Sequence, residues 1–166
     1  MRRFSVCLLA CLGVIPPHAV AADSHPTPQI QSRTGTPTRQ VATILIPKLR
    51  LSAPIYIGVT DAIFNKGIGQ WPGTPSAGKN GNIVLGGHRT SADALFVNID
   101  KLKSGDTITL VARNKTFKYS VTGHSIVKPN AIWITKQTST PTLTLFSCHP
   151  LGKVSHRYVV RAVLTS

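Results

Sequence analysis

Short runs of β-branched and other apolar residues recur along most of this chain, and turn-forming residues separate them. Ser104-Gly105-Asp106 and Arg113-Asn114-Lys115 are two such turn signals. Runs of this length and composition are typical of strands. The predicted strands are Ala42–Ile46, Ile55–Val59, Asn82–Gly87, Thr107–Ala112, Thr116–Val127, Thr142–Cys148 and Arg157–Leu164. Short helical turns are expected at Asp61–Lys66, Ala92–Leu102 and Asn130–Thr135. The pattern therefore predicts an all-β domain, either a closed barrel or a sandwich.

The N-terminal residues have the features of a targeting segment. A basic start, Met1-Arg2-Arg3, precedes the apolar run Phe4–Ile15 and the small-x-small sequence Ala19-Val20-Ala21. A helix over that run would rise about 18 Å, against roughly 30 Å of membrane hydrocarbon. We interpret residues 1–21 as a cleaved secretory signal, with an uncleaved N-terminal anchor as the alternative. The protein is thus expected outside the cytoplasm, at the membrane face or in the cell wall.

Residues 22–40 are mostly Ser, Thr, Pro, Gln and Gly, with few apolar side chains. Such a segment cannot bury enough surface to fold, so we expect a flexible tether. The folded domain is expected to occupy residues 41–166.

The charge of the chain is strongly basic. Loss of residues 1–21 removes two of the 19 basic residues and leaves all five acids, a net charge of +12. All five acids are Asp, which excludes catalytic Glu pairs and Glu metal ligands. Neither a cofactor nor a metal is expected. The basic charge agrees with an anionic cell envelope as partner, and the absence of an aromatic-interleaved basic stripe argues against nucleic acid.

Cys148 is the one cysteine that remains after the signal, because Cys7 and Cys11 lie inside it. A lone thiol in an exported protein suggests a reactive residue rather than a disulfide. Strand alternation points Leu143 and Leu145 to the core, which places Cys148 on the opposite face, where a groove could reach it.

A catalytic thiol needs a base or a cation close by. His88 ends an apolar strand after Gly86 and Gly87, where backbone or substrate could approach closely. Arg157 follows Cys148 by nine residues, across a loop whose length can bring the guanidinium back beside the thiol, where it would stabilise an oxyanion. His18 lies in the signal and His25 in the tether. Of the other histidines, His124 is expected to be a half-buried strand residue, His149 to point away from the groove, and His156 to start the last strand.

Several segments resemble the sortases in order and spacing. Thr144-Leu145-Phe146-Ser147-Cys148, with Arg157 after it, resembles their nucleophile strand and catalytic arginine. The stretch from Gly81 to Thr90 resembles their histidine segment. Ile46-Pro47-Lys48-Leu49, the loop from Gly67 to Gly73, and the stretch from Leu95-Phe96 to Gly105-Asp106 follow the family as well. The similarity spans about residues 43–164 and is closest to the class E sortases of high-GC Gram-positive bacteria.

The resemblance implies a closed eight-stranded β-barrel with short connecting helices, and a cysteine transpeptidase. Its substrates would be surface proteins with a C-terminal sorting signal of the LPxTG or LAxTG type, and its acceptor a peptidoglycan precursor or a pilin lysine. Cys148 would be the nucleophile, His88 the proton shuttle and Arg157 the oxyanion partner. Thr144 and Ser147 would be substrate-binding residues.

Two departures from the family pattern bear on specificity. Ser147 stands where the family usually has Thr, which preserves the hydroxyl. Ser91-Ala92-Asp93 follows the His-Arg-Thr sequence where class E relatives often have Tyr-Gly, so the preference at the second position of the signal is open.

Other functions fit the sequence less well. An L,D-transpeptidase would have a Gly before its cysteine, and a papain-like peptidase would have its cysteine before its histidine. A basic, non-catalytic module that binds anionic cell-envelope polymer remains the alternative.

Overall fold

The structure is a computed structural model that describes residues 39–91 and 94–166. The predicted signal or anchor, and the predicted tether up to residue 38, lie outside the described residues. The strands are β1 (Gln40–Ile46), β2 (Leu51–Ile57), β3 (Ile68–Gln70), β4 (Gly81–Gly86), β5 (Thr107–Ala112), β6 (Lys115–Val127), β7 (Pro141–His149) and β8 (His156–Leu164). A four-residue helix, α1 (Asp61–Phe64), and the 3₁₀ turns Pro47–Leu49, Ile99–Lys101 and Ile132–Thr135 connect them.

The strands form a closed barrel in the order β1-β2-β3-β4-β7-β8-β6-β5. The β2–β3 and β4–β7 pairs are parallel, and the other pairs are antiparallel. The predictions of an all-β domain and of a closed eight-stranded barrel with short connecting helices are confirmed, and the sandwich left open by the strand pattern is excluded. Closure pairs every strand on both sides, which removes the open sheet edges that a sandwich would keep.

Alternation along the strands separates two apolar clusters. Leu143 and Leu145 of β7 lie in the barrel core with no exposed surface, as predicted. Phe146, on the opposite face of β7, joins a smaller cluster outside the barrel with Val84 and Ile134. Burying a side chain of this size contributes about 1.5–3 kcal/mol, so the outer cluster holds the turn Ile132–Thr135 firmly against the barrel wall.

Some boundaries differ from the sequence prediction. Strand β3 was not predicted, because three residues with a glycine in the middle carry little local signal. Gly69 lies so close to the carbonyl oxygen of Gly58 that a side chain would not fit between them. Strand β2 begins at Leu51 rather than Ile55, and β1 begins at Gln40, inside the predicted tether. The helical turn predicted for Ala92–Leu102 is limited to Ile99–Lys101, and residues 92–93 lie outside the described part.

Within residues 39–91 and 94–166, no helix has the length and apolar character needed to cross a membrane.

Candidate active site

The site lies where two parallel strands of the barrel end. Strands β4 and β7 are neighbours, and the last residues paired between them are Gly86 and Phe146. Parallel strands present their carboxyl ends at the same edge of a sheet. His88 and Cys148 each follow two residues after that last pair, so the barrel places the histidine and the cysteine at one end of the same strand pair.

Arg157 reaches the site from the antiparallel neighbour of β7. Strand β8 returns after a short loop, and Cys148 is the cross-strand partner of Arg157. Residues directly opposite on antiparallel strands have Cβ atoms about 4.5–5.5 Å apart, with both side chains on the same face. The nine-residue spacing noted in the sequence therefore returns the arginine to the strand position beside the thiol.

One cavity of about 620 Å³ is lined by all three residues: His88, Cys148 and Arg157. Cys148 is a free cysteine and is partly exposed. The aromatic rings of Phe64, Trp71 and Phe146 also line the cavity and pack edge-to-face with centroid distances of 6.0 and 6.5 Å. An apolar wall with a few polar groups converging on it is the usual form of a ligand site.

Gly86 and Gly87 are needed for packing of the protein itself. A Cβ on Gly86 would lie 2.5 Å from the ring of Phe146 and 2.9 Å from that of Phe64. A Cβ on Gly87 would lie 2.9 Å from Ile68 and from Phe96. From the sequence, either backbone or substrate could approach these two glycines closely. In the structure, the space beside them is filled by side chains of the protein itself.

Asn65 orients the imidazole of His88, a role that sequence reasoning missed. It is the C-cap residue of α1, and its Oδ1 lies 3.1 Å from Nε2 of His88. An amide oxygen can only accept, so Nε2 carries the hydrogen in this pair and Nδ1 of the neutral ring is left as the acceptor. The ring of Phe64 contacts the imidazole edge-on at 5.4 Å. Asn65 and His88 are 23 positions apart in the sequence, so no local pattern links them.

The guanidinium of Arg157 is held by backbone of its own loop. Nη1 donates to the carbonyl oxygens of Val154 and His156, both at 3.0 Å. No partner for Nε or Nη2 occurs among the described residues, so these donors are available to a ligand in the cavity. A guanidinium fixed by one nitrogen loses less freedom when it binds an anion with the others.

Thr144 and Ser147, the expected substrate-binding residues, are buried and bonded within the protein. Ser147 is 1% exposed and donates from Oγ to the carbonyl oxygen of Gly87 at 2.8 Å. Thr144 is fully buried and donates to Oδ1 of Asn82 at 2.8 Å, while Arg161 donates to Thr144 at 3.2 Å. Their hydroxyls thus tie β7 to the loop after β4 and to β4 itself.

Arg89 is a second site residue that the sequence did not single out. It directly follows His88 and is 3% exposed. Its Nη2 lies 2.9 Å from Oδ1 of Asp100, and its Nη1 lies 2.8 Å from Nδ1 of His149. Nη1 also donates to the carbonyl oxygen of Cys148 at 3.4 Å. The motif His-Arg-Thr was the only signal for this residue, and the motif does not reveal its partners.

Tyr158 packs against this arginine from β8. The guanidinium carbon of Arg89 lies 5.6 Å from the centre of the Tyr158 ring. Burial raises the pKa of the Tyr158 phenol, the carboxylate of Asp100 adds to the rise, and Arg89 opposes it. The phenol is therefore neutral at physiological pH, and Tyr158 acts by packing rather than by charge.

The remaining histidines lie outside the cavity. His124 is exposed rather than half-buried, and stacks on Tyr158 with ring centroids 5.4 Å apart. His149 does not line the cavity, which agrees with its predicted direction, and it contacts Arg89 instead. His156 starts β8 as predicted.

Comparisons with known proteins give one consistent family. A family model described as "Sortase domain" matches residues 44–165. Sortase D of Bacillus subtilis (strain 168) is 33% identical over 74% of this chain and 63% of its own length. Sortase A of Bacillus anthracis is 32% identical over 72% of this chain and 57% of its own length, so the chain spans less than two thirds of either relative. A lid mutant of sortase A from Corynebacterium diphtheriae superposes with a TM-score of 0.74 at 30% identity, covering 78% of this chain and 72% of that one.

Proposed function

The chain belongs to the sortase family, and on that basis we propose that it is a cysteine transpeptidase acting on proteins that carry a sorting signal. The observation that carries the proposal is the single cavity lined by Cys148, His88 and Arg157. A nucleophile, a proton carrier and a fixed cation are the groups that acyl transfer through a thioester requires.

The reaction proceeds in two steps. The thiolate of Cys148 attacks the carbonyl carbon of the scissile bond, and the oxygen that becomes negative is stabilised by the free donors of Arg157. The amine leaves with a proton from the imidazolium of His88, and a thioester to Cys148 remains. His88, now neutral, takes a proton from the incoming amine, which attacks the thioester and releases the Cys148 thiolate, so that the starting thiolate and imidazolium are restored. Asn65 fixes the imidazole for both transfers.

We extend the proposal to the substrates. The signal is of the LPxTG or LAxTG type, cleaved between Thr and Gly, and the acceptor is an amine of a peptidoglycan precursor or a pilin lysine. The enzyme works outside the cytoplasm, at the membrane face or in the cell wall. Class E membership belongs to the same proposal and rests on the overall resemblance of residues 43–164, while Ser91-Ala92-Asp93 departs from the class E pattern.

Incubation with peptide libraries tests the proposal. We expect the protein to cleave LPxTG-like or LAxTG-like peptides between Thr and Gly and to join the new carboxyl end to an added amine, as read by product mass. Hydroxylamine should replace the amine and release the hydroxamate, because it intercepts a thioester. Peptides with the Thr–Gly order reversed serve as the control. No cleavage of any such peptide would exclude a sorting-signal substrate.

A second cavity favours attachment to anionic envelope polymer as a further property. It has a volume of about 540 Å³ and is lined by four cations: Arg39, Lys79, Arg113 and Lys115. No acidic residue lines it, and none of the four forms an ion pair within the part of the chain that the structure describes. A concave surface with one sign of charge concentrates counter-ions of the opposite sign.

Charge removal at that cavity tests the attachment. We expect the triple variant Lys79→Gln, Arg113→Gln, Lys115→Gln to bind poly(glycerol phosphate) about tenfold more weakly, since three exposed charge contacts together contribute about 1.4 kcal/mol. The control variant Lys118→Gln, Lys128→Gln, Lys136→Gln loses the same charge from exposed positions that line neither cavity. Titration at several salt concentrations measures both. Equal weakening by the two variants would show that net charge alone attracts the polymer.

A further inference from the structure

The ladder between β4 and β7 ends before the catalytic histidine and cysteine. Backbone pairing between β4 and β7 ends at Gly86 and Phe146, two residues before His88 and Cys148. Beyond the ladder, the amide of Gly87 donates to the carbonyl oxygen of Phe146 at 3.3 Å, and Ser147 donates to that of Gly87. Neither bond reaches His88 or Cys148. On its other side Cys148 pairs with Arg157 of β8, and the carbonyl oxygen of His88 accepts from the amide of Phe96 at 3.0 Å. A direct link between the two segments at this level therefore has to come from a side chain.

Arg89 makes contacts on both segments at that level. It follows His88 in the chain, so its backbone shares a peptide unit with the histidine. Its Nη1 lies 2.8 Å from Nδ1 of His149 and 3.4 Å from the carbonyl oxygen of Cys148. Because a guanidinium only donates, Nδ1 of His149 is the acceptor in this contact.

The other contacts of Arg89 keep its charge in place. Nη2 pairs with Asp100 at 2.9 Å, Nε donates to the carbonyl oxygen of Val97 at 3.5 Å, and Tyr158 packs on the guanidinium face. A cation that is 3% exposed is strongly disfavoured unless such partners compensate for the lost water. The planar guanidinium of Arg89 donates from Nη1, Nη2 and Nε to partners in three directions, which the single ammonium group of a lysine cannot do.

We propose that Arg89 is a positioning residue that sets the spacing between the imidazole of His88 and the thiol of Cys148. Arg89 borders the cavity but is 3% exposed, and its guanidinium is occupied by partners within the protein, so it acts through these two residues. A displacement of about 1 Å between reacting groups can cost on the order of a hundredfold in rate. The inference rests on the proposed function for the role of the pair, and it can be measured without a sorting-signal peptide.

The test is a double-mutant cycle on thiol reactivity. The rate of alkylation of Cys148 by iodoacetamide is measured at several pH values in the wild type, Arg89→Met, His88→Ala and the double variant. We expect Arg89→Met to slow alkylation at neutral pH about tenfold, to change the pH profile, and to have less than twofold effect when His88 is already Ala. This loss of additivity identifies an effect that passes through His88.

Two further variants separate positioning from stability. Arg89→Lys keeps the charge beside Asp100 and should show an alkylation rate between those of the wild type and Arg89→Met, which also provides a measurement if the Met variant does not fold. Ile44→Ala opens a cavity in the barrel core on β1, away from the site, and should lower the melting temperature while its alkylation rate stays within twofold of wild type.

Each result decides the matter. Alkylation of a folded Arg89 variant at the wild-type rate, an additive cycle, or an alkylation rate that does not depend on His88 in the wild type would each overturn the inference. The wild type could transfer no sorting-signal peptide while the double-mutant cycle on alkylation is non-additive. That result would support the positioning role of Arg89 and contradict the proposed substrate. In the peptide assay, if the wild type is active, Arg89→Met should lower kcat at least tenfold with KM within twofold.

Discussion

Replacing Cys148 by Ala should abolish transfer of a sorting-signal peptide to an amine while the barrel remains folded. The thiol is the only group in the proposed reaction that can carry the acyl group, so no second residue can substitute for it. The side chain is partly exposed at the end of β7 and has no hydrogen-bond or ion-pair role among the described residues. Loss of one sulfur atom there should change the melting temperature by no more than about 2 °C.

Mass spectrometry distinguishes the outcomes for this variant. The wild type, quenched in acid, should carry a peptide adduct that disappears on addition of hydroxylamine, and Cys148→Ala should carry none. Cys148→Ser provides the matched control, because it keeps a hydroxyl at the same position but is a far weaker nucleophile at neutral pH. Transfer by the Ala variant at the wild-type rate would end the assignment of the nucleophile.

Replacing Arg157 by Ala should lower kcat about a hundredfold or more, with a smaller change in KM. Removal of one oxyanion donor from an enzyme commonly costs about 10²–10³ in kcat. The structure adds a reason for a large effect: Nη1 is already bound by the carbonyl oxygens of Val154 and His156, so Nε and Nη2 are fixed before substrate arrives. Donors that need no reorganisation stabilise a developing charge most strongly.

Two control variants test that reason. Arg157→Lys keeps the positive charge but loses the planar fork, and its kcat should lie between those of wild type and Arg157→Ala. Lys118→Ala removes one exposed cation from β6, outside the cavity, and should leave kcat within twofold of wild type. Steady-state kinetics with one peptide and one amine measures all four proteins. A rate for Arg157→Ala within twofold of wild type would remove this arginine from the mechanism.

Most strands of the barrel could be predicted because their signals are local. Apolar alternation in Thr142–Cys148 assigned Leu143 and Leu145 to the core and Cys148 to the other face, and the structure agrees. The missed strand, β3, has no such signal, because Ile68–Gln70 is too short for a period and is ordered by its neighbours β2 and β4. The prediction that His124 is half-buried was also wrong, because the burial of a strand residue depends on which elements pack over the strand and not on the strand itself.

The reacting residues could be named from the sequence, but the groups that position them could not. Cys148 has a reactive side chain, and His88 and Arg157 can supply a proton and a cation, so their chemistry identifies them as candidates. Asn65 and Arg89 are ordinary polar residues in the linear order. Their importance comes from partners that are 23 and 59 or 60 positions away. No periodicity or motif encodes contacts at such separations.

The sequence by itself determined an all-β chain with one cysteine after its N-terminal segment, because strand propensity, alternation and residue type are properties of short stretches. The strand pattern left a barrel and a sandwich open, and only the tertiary structure decided that the hydroxyls of Thr144 and Ser147 bond to Asn82 and Gly87 within the protein. It also decided that a buried arginine joins the histidine segment to the nucleophile strand. The physical reason is that hydrogen bonds and burial depend on distances between atoms, and those distances are set by the pairing of β4, β7 and β8 rather than by the order of the residues.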